Sequence, residues 1–406
     1  MRILVVVDLY PKLSETFVID HVLGLTRRGH EVSVIARTFE HAALEHRRLQ
    51  TARPASVAYR ARGGRFARLR LTARGALAAF CRRPLRTLSL LASGARRADL
   101  VAVLGTIALV RGSAFDAVHA HFGPAGAHLE RVRRLGFLGN VPFICSFHGY
   151  DASSFPAARP HAYDALFASD VEIVTNGRDL ASCVVALGAE PSRVHELRVG
   201  IDLPWHARAA PRRAETPVRI LSVGRLVEKK GHAYGIRALA EVVPHVPEVR
   251  YRIIGDGPLR ADLERLTREL ALSAHVEFAG ECADADVASA LEETDIFLLP
   301  SVTAGNGDRE SMPVVAMEAM IREVPVVATR HAGIPDLVED GVSGLLCPER
   351  DASGLATGLL ALIADPERRA RFGAAGRARV IARHDLERHL DDLLALYRAR
   401  ANRDPV

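Results

Sequence analysis

The chain has 406 residues, 49% of them hydrophobic and 25% charged, and a formal net charge of +6. That balance is the composition of a soluble globular protein, and the length points to two domains of roughly 200 residues each. No apolar run approaches the roughly 20 residues of a membrane-spanning helix. The five scattered cysteines form no CxxC pair, which speaks against a disulfide framework or a cysteine-held zinc and suits a reducing cytosol.

In chain order, "MRILVVVD" opens the sequence as a β-rich run rather than a signal peptide, since its apolar stretch soon meets Asp8. The segment Pro11–Phe17, "PKLSETF", follows it and leads into a helical pattern over 15–28. Ser14 suits a helix N-cap. Glu15 and Thr16 are candidate acceptor contacts, and local capping explains them equally well. Further strands are expected near 31–36, 115–120, 142–147, 171–175 and 194–198. From Arg60 to Arg97 the alternation breaks. Eleven arginines and no acidic residue are interleaved there with Leu69, Leu71, Leu77, Phe80, Leu85, Leu88 and Leu91. The core of an insert near 60–112, this stretch reads as basic amphipathic helix broken near Pro84. It is either a docking surface for an anionic membrane or a lipid-phosphate acceptor, or a solvated helical pair packed on the domain by its leucines. His119 and His121 of "HAHFG" alternate along a strand and share a face. A third ligand at metal-binding spacing is not evident, so His121 reads as a cleft contact rather than half of a metal site.

The stretch "PWHARAAPRRAETP", Pro204–Pro217, lacks apolar periodicity and reads as the interdomain link. A second series of strands is expected near 218–224, 249–254, 275–279, 295–299, 325–328 and 344–347. Helical patterns at 231–243, 258–270, 284–293, 312–322 and 352–364 lie between them. Strands alternating with helices mean parallel sheets, so the expected fold is α/β with two Rossmann-like domains. The expected boundaries are 1–203, 204–382 and an amphipathic C-terminal helix in 383–406, packed on the second domain or returning to the first.

Lysine occurs only at positions 12, 229 and 230, against 51 arginines. Arg225 and Lys230 sit in the loop after the first strand of the second half, where two cations grip two phosphates or simply face solvent. Gly224 opens that loop. Gly255-Asp256-Gly257-Pro258 forms the next strand-to-helix turn without a GxGxxG fingerprint, which weighs against a dinucleotide oxidoreductase. "ESMPVVAMEAMI", Glu310–Ile321, places a helix start near Ser311 or Met312, with Pro313 in the first turn. The free N–H groups of such a start favour an anion. Glu318 lies within the apolar run, and a buried carboxylate requires a partner: paired ribose-like hydroxyls, or a salt bridge to a buried arginine. Asp284-Ala285-Asp286 matches a metal-binding DxD pattern but falls at a helix start, where carboxylates need no metal.

"ESMPVVAME", "VGRLVEKKG", "IIGDGPL", "HAGIPDLVEDGVSGLL", "LSETFV", "HAHFG" and "SFHGYD" together resemble the retaining GT-B glycosyltransferases of family 4, in their exopolysaccharide branch that includes colanic-acid-type enzymes. The resemblance spans nearly the whole chain. It implies two Rossmann-like domains facing a central cleft and transfer of a hexosyl group from a nucleotide-diphosphate sugar, favouring a UDP-hexose. The implied acceptor is a glycan or polyprenyl-diphosphate-linked glycan at the inner membrane face, and the implied location is cytoplasmic. It makes His148, Arg225, Lys230 and Glu310 the catalytic set. Arg225 and Lys230 would hold the diphosphate, Glu318 the ribose, and Glu310 and His148 the transferred sugar. Ser311, Met312 and Pro313 would line the phosphate region, and Gly255–Pro258 with Gly280 and Glu281 the base. Ser14, Glu15, Thr16 and His121 would face the acceptor. Neither metal nor cofactor is implied, and no nucleic-acid partner. A non-catalytic nucleotide-sugar-binding subunit of an assembly complex is the alternative.

Overall fold

In the computed structural model, residues 1–45, 47–60, 64–92, 97–206 and 217–401 are described. The interdomain link expected over 204–217 lies mostly outside them, at 207–216. The chain divides into two compact units. The first comprises Met1–Thr175, Ala181–Leu197 and Leu390–Val406, and the second Asn176–Leu180 and Arg198–His389.

Unit 1 is built on seven parallel strands: β1 (Arg2–Leu9), β2 (Glu31–Thr38), β3 (Ser56–Tyr59), β4 (Ala117–His121), β5 (Phe143–Ser146), β6 (Glu172–Thr175) and β7 (Val194–Glu196), ordered β3-β2-β1-β4-β5-β6-β7. Unit 2 has six: β8 (Arg219–Val223), β9 (Arg250–Ile254), β10 (Val276–Gly280), β11 (Ile296–Leu299), β12 (Val326–Thr329) and β13 (Gly344–Cys347), ordered β10-β9-β8-β11-β12-β13. Helices on both faces explain the unbroken apolar runs, such as Ile3–Val7 with no exposure at all. Each sheet reverses its strand order once, between β1 and β4 and between β8 and β11. Ligands of open parallel sheets bind beyond the carboxyl ends of the strands at such a reversal.

Strand β3 was not expected from the sequence. "SVAY" is a four-residue edge strand with no fully buried position, so it lacks the apolar signature of its neighbours. The arginine-rich stretch is helical at Arg65–Arg82 and Pro84–Ala92, with the break at Pro84, followed by a helix at Arg97–Val110. Most of its leucines do not pack it onto the domain; Leu71, part-buried and 3.6 Å from where a Cβ on Gly105 would lie, is an exception. Small residues pack it instead: a Cβ on Gly75 would lie 1.8 Å from the Leu104 carbonyl oxygen, so only glycine permits this helix contact. The outward faces carry Phe66 (82% exposed), Leu69, Leu77, Phe80, Leu85 (80% exposed), Leu88 and Leu91. The C-terminal helix spans Leu386–Ala401. From Leu390 onward it belongs to unit 1, where Asp391 pairs with Arg28 at 2.8 Å and Arg400 with Asp170 at 2.7 Å.

Candidate functional site

The carboxyl ends of the unit 2 strands carry a string of polar contacts that follows the order of the sheet. Lys230, after β8, forms an ion pair with Glu310, after β11. The Glu310 N–H donates to Nε2 of His331, after β12, at 2.9 Å. Because Nε2 accepts, the ring proton sits on Nδ1, which donates to Oε1 of Glu349, after β13, at 2.6 Å. Glu349 in turn accepts from the Thr303 N–H at 2.7 Å. Burial alone would push the Glu310 carboxyl up, but Lys230 and Lys229 beside it hold it down at about 2. Lys229 plays a different part from its neighbour: it pairs with Asp308 at 3.2 Å and donates to the Arg309 carbonyl at 3.3 Å, anchoring the loop that presents Glu310. Gly231 lets the loops after β8 and β11 meet. It has φ +65°, and a Cβ there would lie 1.8 Å from the Pro300 carbonyl oxygen.

The turns expected to line the base are brought together by backbone bonds. Gly224 N–H donates to Ile254 O at 2.9 Å, Leu226 N–H to Asp256 O at 2.9 Å and Gly255 N–H to Gly280 O at 2.7 Å. Gly257, Pro258 and Glu281 flank these contacts. Arg225 is exposed there and makes no ion pair among the described residues. Asp256 pairs with Arg260 at 3.2 Å.

The helix after Glu310 begins later than expected, at Val314, and runs to Ile321 with Pro313 as its N-cap rather than inside its first turn. Pro313 at ψ 97° is still extended, so Ser311 and Met312 form a buried lead-in instead of helix. Ser311 Oγ donates to Asn176 Oδ1 at 2.8 Å. Glu318 is buried within this helix, 8% exposed. His206 Nε2 stands 3.7 Å from its carboxylate, and Arg322 Nη1 donates to its backbone oxygen at 2.9 Å. Asp284 and Asp286 fall in the first turn of the helix Asp284–Glu293.

Unit 1 gathers a different chemistry at its own strand reversal. His148 packs at a tilt against Phe17 (ring centroids 4.5 Å apart) and Phe122 (4.6 Å). The fully buried Asp151 holds its loop, accepting from the N–H groups of Gly123 at 2.9 Å, His148 at 2.9 Å and Gly149 at 2.8 Å. Burial pushes this carboxyl up to about 6, and the three N–H groups pull against that rise. His121 does not face outward. It is 4% exposed and hydrogen-bonds His148 Nε2 through Nδ1 at 3.1 Å and His21 Nδ1 through Nε2 at 2.7 Å, so it acts one layer behind His148. Ser14 does not cap the first helix. It lies inside a 3-10 turn, Leu13–Glu15, and Glu15, paired with Lys12 at 2.5 Å, precedes the helix that Thr16 begins.

Residues 14–204 match the family model described as Glycosyltransferase Family 4, and residues 205–379 match Glycosyl transferases group 1. The amylovoran biosynthesis glycosyltransferase AmsK of Erwinia amylovora is 33% identical over 361 residues, 87% of this chain and 88% of AmsK. WcaL of Salmonella typhimurium, named as a colanic acid biosynthesis glycosyltransferase, is 33% identical over 86% of this chain and 87% of its own. The chain belongs to glycosyltransferase family 4. Its fold is that of the Anabaena HepE structure in complex with UDP and glucose, with a TM-score of 0.72 at 18% identity over 97% of this chain and 98% of that one. This family 4 glycosyltransferase is therefore an α/β enzyme with two Rossmann-like domains.

Four residues that shape the glycosyltransferase's candidate site were not singled out from its sequence. Asp151 carried a usable signal, being a carboxylate three residues beyond a loop histidine. His331 opens the stretch "HAGIPDLVEDGVSGLL" that carries part of the resemblance, but its partners Glu310 and Glu349 lie 21 and 18 residues away, so spacing along the chain assigned no role to His331 or Glu349. His21 sits on an otherwise apolar helix, and 100 residues separate it from His121.

Proposed function

We propose that this family 4 enzyme is a retaining, metal-independent hexosyltransferase of exopolysaccharide synthesis. Its donor is a UDP-hexose and its acceptor a glycan or a polyprenyl-diphosphate-linked glycan. The observation that carries the donor reading is the Lys230–Glu310 pair at the β8/β11 reversal, with Glu318 buried on the helix that follows. A diphosphate arriving there competes with Glu310 for Lys230 and meets the exposed Arg225 as a second cation. Glu318 takes the ribose hydroxyls, and Glu310 and His148 the transferred hexose. Ser311, Met312 and Pro313 line the phosphates, while Gly255–Pro258, Gly280 and Glu281 accept the base. Ser14, Glu15 and Thr16 border the acceptor. As the bond from the anomeric carbon to the UDP oxygen breaks, charge grows on the leaving phosphate. Arg225, Lys230 and the open N–H groups at the helix start stabilise that charge. The acceptor oxygen bonds to the same face of the carbon, and its proton passes to the departing phosphate oxygen.

The names of AmsK and WcaL support the exopolysaccharide setting, and the UDP-bound HepE supports the choice of base. The test is nucleotide release by the purified chain in EDTA, with UDP-glucose, UDP-galactose or GDP-mannose and a polyprenyl-diphosphate glycan. The expected result is UDP release from one UDP-hexose with retained configuration in the product. Release of GDP alone, or activity only with added divalent metal, overturns the reading.

No helix among the described residues is long and apolar enough to cross a membrane. Peripheral attachment is the proposed alternative, through the outward faces of Arg65–Arg82 and Pro84–Ala92. Exposed Phe66, Leu69, Leu77, Phe80, Leu85, Leu88 and Leu91 stand there beside Arg68, Arg70 and Arg74, with no acidic residue between Arg65 and Ala92. An anionic bilayer satisfies both the apolar stripe and the charge. Co-sedimentation with phosphatidylglycerol vesicles, but not with phosphatidylcholine vesicles, is the expected outcome, lost in a Phe66→Glu/Leu85→Glu double variant. Equal binding by that variant sinks this part of the proposal.

A further inference from the structure

Behind His148 runs an unbroken hydrogen-bonded string inside unit 1. Ser146 Oγ lies 2.8 Å from His119 Nε2, and His119 Nδ1 lies 2.6 Å from the Tyr397 hydroxyl. That hydroxyl lies 3.4 Å from His21 Nε2, and His21 Nδ1 lies 2.7 Å from His121 Nε2. His121 Nδ1 then reaches His148 Nε2 at 3.1 Å. Ser146, His119, Tyr397, His21 and His121 are all buried. Every ring nitrogen of His21, His119 and His121 is engaged in this string.

A neutral imidazole has one N–H and one lone pair, and burial raises the Tyr397 hydroxyl well above its ordinary value, so it keeps its proton. The string therefore has two self-consistent directions. In one, Ser146 donates to His119, and each member passes the donation on until His121 Nδ1–H donates to His148 Nε2. His148 then carries its own proton on Nδ1. In the other, His148 Nε2–H donates inward, every bond reverses, and His148 Nδ1 is left as a lone pair. One collective choice made in the core decides whether the far side of His148 donates or accepts.

A metal reading fits the same rings less well. Their ligand nitrogens lie within 4.8 Å of one another, but the closest pair is 2.7 Å apart. Two nitrogens on one tetrahedral zinc at about 2.0–2.1 Å each would stand roughly 3.3 Å apart. The observed spacing is that of a hydrogen bond.

We propose that His21, His119, His121 and Tyr397 are positioning residues that fix the tautomer of His148, and through it the hydrogen bond His148 makes to the transferred sugar. The sugar contact rests on the proposed hexosyl transfer; the tautomer coupling does not. Nitrogen-15 NMR of histidine-labelled full-length protein reads each ring's protonated nitrogen directly. The expected wild-type result is a single tautomer at His148. In Tyr397→Phe, which cuts the string at its centre, His148 should change to the other tautomer or to a mixture. That variant should lose about tenfold or more in kcat, while its donor KM stays within about twofold. Ser146→Ala, at the far end of the string, repeats the NMR measurement where Tyr397→Phe folds poorly. Unchanged His148 nitrogen signals and unchanged kcat in a folded Tyr397→Phe, or in Ser146→Ala, overturn the inference, whatever happens to Tm. So does a stoichiometric transition metal on the purified chain that is lost in His21→Gln. Wild-type transfer by His148→Ala removes the sugar contact alone, and the NMR result then stands by itself.

Discussion

Two buried carboxylates sit under the two candidate sites and are held in opposite ways. Asp151 in unit 1 is gripped by three backbone N–H groups and makes no ion pair among the described residues, and burial raises its carboxyl to about 6. Glu310 in unit 2 is gripped by Lys230 beside Lys229, which hold it at about 2. The contrast extends outward from each. Asp151 supports a loop whose histidine continues into a string of buried histidine rings, whereas Glu310 belongs to a charged string that runs from Lys230 to Glu349. Both lie at a strand reversal, so the topology supplied the same place twice. The side chains then gathered ion pairs at one place, which the proposed function gives to the diphosphate, and ring-to-ring hydrogen bonds at the other, which it gives to the sugar.

The contrast breaks most sharply at Lys230. Lys230→Ala should cut the transfer rate by about 10²–10³-fold with far-UV circular dichroism unchanged, since under the proposed transfer it removes charge where charge develops. Lys229→Ala should chiefly lower Tm, because that lysine anchors the loop at Asp308 and Arg309. Equal rate losses in the two variants would erase the distinction between them.

The carboxylates themselves give an intermediate effect. Asp151 has a folded pKa above its unfolded value of 3.8, so its stabilising contribution is present at low pH and fades as pH rises through about 6. Glu310 has a folded pKa below its unfolded value of 4.5, so its contribution is present at neutral pH and is lost only as pH falls towards about 2. Urea unfolding of wild type against Asp151→Asn should therefore show the wild type losing about 1–3 kcal/mol relative to the variant between pH 4 and pH 7. A difference independent of pH would remove the contrast.

The smallest expected effect sharpens the comparison at His331. Replacing it with alanine takes the acceptor from the Glu310 N–H and the donor from Glu349. A drop of about tenfold in kcat is expected, with Lys230 still in place. An unchanged rate would mean that the charged string ends at Glu310.

Much of this architecture was legible in the linear pattern. The apolar runs at Ile3–Val7 and Ile296–Leu299 need burial on both faces, and parallel sheets follow from that requirement together with the intervening helical periods. The rarity of lysine pointed to 229 and 230, and the buried position of Glu318 followed from its apolar neighbours. Where local pattern misled, a packing preference had overruled it. Ser14 has capping chemistry but lies inside a 3-10 turn. The leucines of 65–92 have core chemistry, yet most of them are exposed while Gly75 makes the tight contact with Leu104.

The sequence by itself thus determined most of the elements, though not the edge strand β3, their parallel alternation and the loops in which charge is concentrated, because periodicity and turn chemistry act over a few residues. Only the tertiary structure decided which side chains meet. His119 and Tyr397 are 278 positions apart, and Lys230 pairs with Glu310 while Lys229 does not. Such pairings depend on which strand ends the sheet order brings side by side and on close backbone contacts such as that of Gly231 with Pro300, not on any spacing along the chain.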